Sequence, residues 1–114
     1  MKQVRILVHG THPEILETVL RLINKNETWI GEGHTEEEKV IELFMQKQYD
    51  LVLLGSGLTD TSEKKIRALF AHHSPDTPIM QHYGGGSGLL KSEIESALSK
   101  IRQQEVQVQD NPFG

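Results

Sequence analysis

The 114 residues make one domain's length, enough to bury a core without covalent staples, and the absence of cysteine excludes disulfides and thiolate metal sites. The formal net charge of −4 argues against a partner such as the nucleic-acid backbone, which calls for a basic surface. No apolar run reaches the roughly 20 residues that span a bilayer, so no membrane partner is expected. The basic-then-apolar start from Met1 to Val8 is short for a signal peptide and runs into His9-Gly10 without a cleavage pattern, so a cytoplasmic protein is expected.

Along the chain, short apolar runs alternate with helical periods, the pattern of βαβ units and a parallel sheet. Val4 to Val8 reads as a buried first strand. Thr11-His12-Pro13-Glu14 opens a helix as a capping box with proline in its first turn, and Ile15, Leu16, Val19, Leu20 and Ile23 fall on one face. Trp29-Ile30-Gly31-Glu32 is a weaker second strand, expected at an edge. Thr35-Glu36-Glu37-Glu38 repeats the capping box, its acids reading as a solvated first turn at the positive end of a helix. Val40, Ile41, Phe44 and Met45 are that helix's expected buried stripe.

Tyr49 to Leu54 is the clearest strand, a continuous apolar run that implies cover on both faces. Asp60 and Glu63 start a third helix, with Ile66, Leu69 and Phe70 facing inward and His72-His73 at its end. Ser74 to Pro78 breaks the chain before a fourth strand, Ile79 to Tyr83, which Gln81 and His82 make polar for an inner position. Gly84 to Gly88 follows, then a helix from about Leu89 to Arg102 carrying Leu90, Ile94, Ala97, Leu98 and Ile101. The expected division is a domain over 1–103 and a C-terminal tail or short edge strand over 104–114.

The strand segments, taken in order, resemble the receiver domain of two-component response regulators. Arg5-Ile6-Leu7-Val8 with His12-Pro13 is similar to the family's opening strand and helix, and Trp29-Ile30-Gly31-Glu32 with Glu37 to its second pair. Tyr49 to Leu54 followed by Leu58 and Asp60 matches the third strand and its loop, and Thr77-Pro78-Ile79 the entry to the fourth. The resemblance covers roughly the first 100 residues and implies a flavodoxin-like, three-layer α/β/α fold with a parallel sheet in the order 2-1-3-4, with or without a fifth strand.

It does not carry over the chemistry. A working receiver phosphorylates an aspartate at the end of its third strand, beside a magnesium ion held by that aspartate and an acidic pair after the first strand. Here the acceptor position falls on Gly55 and the acidic pair on Gly10 and Thr11, while the switch hydroxyl's position falls on Tyr83. Leu89-Leu90-Lys91 resembles the end of the fifth strand, where the family keeps a lysine. However, the five residues between Tyr83 and Leu89 are too few for a parallel crossover. Either the sheet stops at four strands, or the segment from Leu89 is the fourth helix, Lys91 lies within it, and Glu105 to Gln109 is a fifth, edge strand.

The other constellations carry less. Gly84 to Gly88 before a helix is a possible anion cradle, through Gly85, Gly86, Ser87 and Lys91, or a flexible turn. His9, His12, His34 and His82 read as surface and loop histidines and not as a metal site, and Ser56, His82 and Asp60 have no sequence feature that assembles them into a triad. The expectation is a non-phosphorylatable receiver-like module, without cofactor or enzymatic activity, that binds a protein partner or a second copy of itself. The alternative is a small-molecule or anion-binding protein that uses the glycine-rich strand tips.

Overall fold

The structure, a computed structural model, describes residues 3–55, 57–81 and 90–99. Its elements are β1 (Val4–His9), α1 (Pro13–Asn24), β2 (Trp29–His34), α2 (Glu37–Gln46), β3 (Leu51–Leu54), α3 (Asp60–His73) and β4 (Ile79–Gln81). Residues 90–99 form a further helix, α4. The strands make one parallel sheet of four in the order β2-β1-β3-β4, the receiver-like, flavodoxin-type α/β architecture. Sheet and helices α1 to α3 lie in one compact unit, Met1–Gly84, and α4 in a second, Gly85–Gly114.

Register fixes which helix covers which face. Ile6 pairs with Gly31 and Leu51, and Val8 with Gly33 and Leu53, so these residues share one face of the sheet. Helix α1 lies on that face. A β-carbon added at Gly31 would come within 2.9 Å of Ile23 Cγ2, and one at Gly33 would run into the Val8 carbonyl oxygen and within 3.1 Å of Leu16 Cδ1. The two glycines are what lets the helix sit so low on β2. The opposite face carries Leu7, Val52 and Leu54, which pack with Val40 and Phe44 of α2, Tyr49, and Ile66 and Phe70 of α3 into one buried cluster. Phe44 and Phe70 stack with ring centroids 3.8 Å apart and planes 6° from parallel.

Several local expectations change. Helix α1 is capped by extended His12 and α2 by extended Glu36, with no side-chain cap bond at either, so the Thr11 and Thr35 capping boxes do not form. Each threonine lies one residue before the position from which its oxygen would cap. At α2 the Glu36 N–H is instead taken up by His34 Nδ1, at 3.0 Å. A side-chain cap does form on α3, where Thr59 Oγ1 accepts from the Ser62 N–H at 3.1 Å. Ile15 and Met45, expected inside, are 52 % and 38 % exposed. Each stands one residue, about 100° of helix, from the inward line of Leu16, Val19 and Ile23 or of Val40 and Phe44.

Strand β2 is an edge strand, as expected, and among the described residues so is β4. The polarity of β4 is partly absorbed by a side-chain bond from Gln81 Nε2 to Glu63 Oε1, at 3.0 Å. Lys91 is an exposed residue of α4, in line with the helix expected from about Leu89, and the likeness of Leu89-Leu90-Lys91 to a strand end does not hold. Buried Leu90 and Ile94, four residues apart, follow a helical period and not a strand's alternation. Ser56, His82, Tyr83, Gly84 to Gly88 and the candidate strand 105–109 lie outside the described residues.

Candidate functional site

The carboxyl ends of parallel strands, where open α/β sheets gather their chemistry, are marked here by His9 at the end of β1 with Gly10 and Thr11 after it, His34 on β2 and Gly55 after β3. The β1–β3 ladder continues one step past β3, with the Gly55 N–H donating to the His9 carbonyl at 2.7 Å. That bond brings Gly10 and Gly55 side by side. A β-carbon built at Gly55 would lie 3.4 Å from the Gly10 Cα, and one at Gly10 would meet nothing nearer than the Gly55 Cα, at 3.9 Å. Thr11, exposed, turns towards the loop after β3, and its hydroxyl occupies the space that a side chain at Gly57 would need. Gly57 itself has φ +93°, a conformation that favours glycine. Thus Gly10, Thr11 and Gly55 are brought together, although they are far apart in sequence.

The titratable groups at this end come from elsewhere. The Glu37 carboxylate, in the first turn of α2, accepts from Ser62 Oγ and from Lys65 Nζ, the latter at 3.0 Å, and so ties α2 to α3. The Ser62 hydroxyl, then the Lys65 ammonium, hold the Glu37 carboxyl below the ordinary carboxylate range, and a smaller attraction comes from His9. His9 is 1 % exposed, which corrects its reading as a surface histidine. It shares the inner face with Leu7 and stands in register with His34 and Leu54. Its ring is satisfied there by a bond between Nδ1 and the His34 carbonyl, at 3.0 Å. The signal for that burial is the strand alternation that puts His9 on the same face as Leu7, two residues earlier. Reading Glu36 to Glu38 as a solvated turn missed the Glu37 bridge, because its two partners lie 25 and 28 residues away.

Among the described residues no group of three or more His, Asp or Glu side chains could hold a metal ion. No described helix is long and apolar enough to cross a membrane.

No family model matches the sequence, and no curated protein matches it either. Solved structures do. The chain is 21 % identical, with a TM-score of 0.64, to a chain in the crystal structure of histidine kinase ThkA in complex with response regulator protein TrrA, covering 89 % of this chain and 98 % of that one. It is 12 % identical, with a TM-score of 0.63, to the signal receiver domain of an HD domain-containing protein from Pseudomonas fluorescens Pf-5, covering 92 % and 93 %. At these identities the likeness establishes the fold alone: the chain is built as receiver domains are built.

Proposed function

We propose that this chain is a receiver-like signalling module that works by binding a protein partner and does not accept a phosphoryl group. The observation that carries the reading is the pairing of Gly10 with Gly55 across the ends of β1 and β3. These are the positions at which the resemblance places a magnesium-holding carboxylate and the phospho-acceptor, and neither glycine has a side chain to offer. Thr11, at the other acidic position, has a neutral hydroxyl, a weak ligand for a hard divalent cation. Glu37, the bridging carboxylate of this end, already has its charge engaged by Ser62 and Lys65. A protein partner is supported by the similar chain that was crystallised in a complex of a histidine kinase with a response regulator. Interaction within a two-component-type pathway is the function this frame serves best; of the residues of the anion-binding alternative, Lys91 lies in α4 and Gly84 to Gly88 lie outside the described residues.

The test is to incubate the chain with acetyl phosphate, and separately with beryllofluoride, each with Mg²⁺, and to record intact mass and amide NMR shifts. The expected result is an unchanged mass and no saturable shift at Gly10, Thr11 or Gly55. A phosphoryl adduct, or saturable shifts at those amides, would overturn the proposal.

A further inference from the structure

Between β2 and α2 the chain is held by an imidazole. His34 Nδ1 accepts from the Glu36 N–H at 3.0 Å, the bond that an asparagine side chain makes two residues ahead in an Asx turn. Glu36 is the N-cap of α2, and no side-chain cap bond forms there. In a capping box an acid inside the helix reaches back to the N-cap N–H; here His34 serves that N–H from the strand side. The bond also fixes a protonation state. A backbone N–H only donates, so the Nδ1 that receives it carries a lone pair, and the ring is neutral with its proton on Nε2. The His34 carbonyl is engaged as well. His9 Nδ1 donates to it at 3.0 Å, which gives His9 a proton on Nδ1, where His34 has none.

The charges around His34 come from several elements. It shares a face of the sheet with His9, its partner in register on β1, and with Glu32 on its own strand. The Glu32 carboxylate is shared by Arg5 and Lys47. On the α2 side stand Glu36 and then Glu37, Glu38 and Lys39 of the first turn, with the positive end of the helix. From α3, Lys65 reaches this end through its pair with Glu37. Helix α1 lies on the other face of the sheet. The acids favour a charged ring, while the lysines, the helix end and the Glu36 N–H oppose it. Of these, only the N–H bond is lost outright when Nδ1 gains a proton.

We propose that His34 is a proton-operated latch on the start of α2: the neutral ring holds the Glu36 N–H, and protonation turns Nδ1 from acceptor into donor and releases it. Imidazole is the side chain that makes this change between about pH 5 and 8. His34 is half-buried, so protons from water reach it. The release is confined to the turn ahead of α2, because Glu37 still ties the helix to α3 through Ser62 and Lys65. The latch is a property of the fold and does not rest on the signalling proposal.

The experiment is an NMR titration of the full, isotope-labelled chain from about pH 8 to about pH 5. It follows the ring nitrogens of His34 and the Glu36 amide, in the wild type and in His34→Asn. Asparagine places Oδ1 where Nδ1 stands and remains an acceptor throughout the range. At the alkaline end His34 should show a bare Nδ1 and a protonated Nε2. As the ring titrates, the Glu36 amide proton should move upfield with the same midpoint, and its protection from exchange should fall about fivefold. In His34→Asn that amide should hold its shift across the range. A protonated Nδ1 at the alkaline end would overturn the proposal, as would a Glu36 amide that stays constant while His34 titrates. The same pH dependence in His34→Asn would also overturn it, by assigning the effect to another group such as His9.

Discussion

Glu37 shows how one exposed-looking acid can be given a structural task. Its carboxylate joins α2 to α3 through Ser62 and Lys65, and those contacts favour its charged form. A carboxyl whose folded pKa lies below its ordinary value of 4.5 stabilises the fold above that value, and the contribution is lost as the pH falls through the lower folded value. Below about pH 4.5 the wild type should therefore lose stability more steeply than Glu37→Gln. At neutral pH the variant should be less stable by about 1 kcal/mol or less, since the ion pair is partly exposed to water. Urea titrations at pH 7 and pH 3.5 check both expectations, and parallel pH profiles would show that the bridge carries no such linkage. None of this was legible in Glu36-Glu37-Glu38, where the dipole of the following helix was reason enough for acids. Which of the three acids turns inward depends on where α3 arrives.

Among the elements, α1 and β2 are coupled through space that glycine leaves open. Gly33→Ala would press its methyl group against the Val8 carbonyl and Leu16, backbone and core side chain with little room to retreat. A loss of roughly 1–3 kcal/mol is expected from such overpacking, read as a lower urea midpoint with an unchanged slope. An unaffected midpoint would show that α1 can lift from the sheet at no cost. The strands themselves were easy to read from the sequence, because Leu51 to Leu54 is apolar throughout and is covered on both faces. The helix starts were harder. Thr11 and Thr35 have the right residue three places on but stand one place too early, whereas α3 does begin at Asp60, with Thr59 before it as the cap. Helical faces are readable to within one position, and Ile15 and Met45 stand just that far from the buried line.

For the whole molecule, the alternation of apolar runs and helical periods announces a parallel sheet, while the order of its strands comes from the resemblance to receiver domains. The site was legible only through the resemblance, since a glycine announces nothing by itself, and its meaning comes from the carboxylate that another chain would carry there. If the frame is intact and only the acids are missing, they can be put back. The Gly10→Asp/Thr11→Asp/Gly55→Asp variant should be destabilised without metal, as like charges crowd at 10 and 55. Millimolar Mg²⁺ should then raise its melting temperature by several degrees, with no such effect on the wild type. A variant indifferent to Mg²⁺ would show that these backbone positions do not hold the geometry a divalent ion needs.

The strand order has a further consequence, for the way the chain is made. Of the four described strands the earliest in the chain, β1, ends up inside the sheet, with β2 on one side and β3, then β4, on the other. As the chain leaves the ribosome, each of the described strands can therefore dock at a free margin of what has already formed, without being threaded between two of the others. A sheet of this order can grow outward from its oldest part, and the crossover through α1 to β2 can close before β3 has been translated.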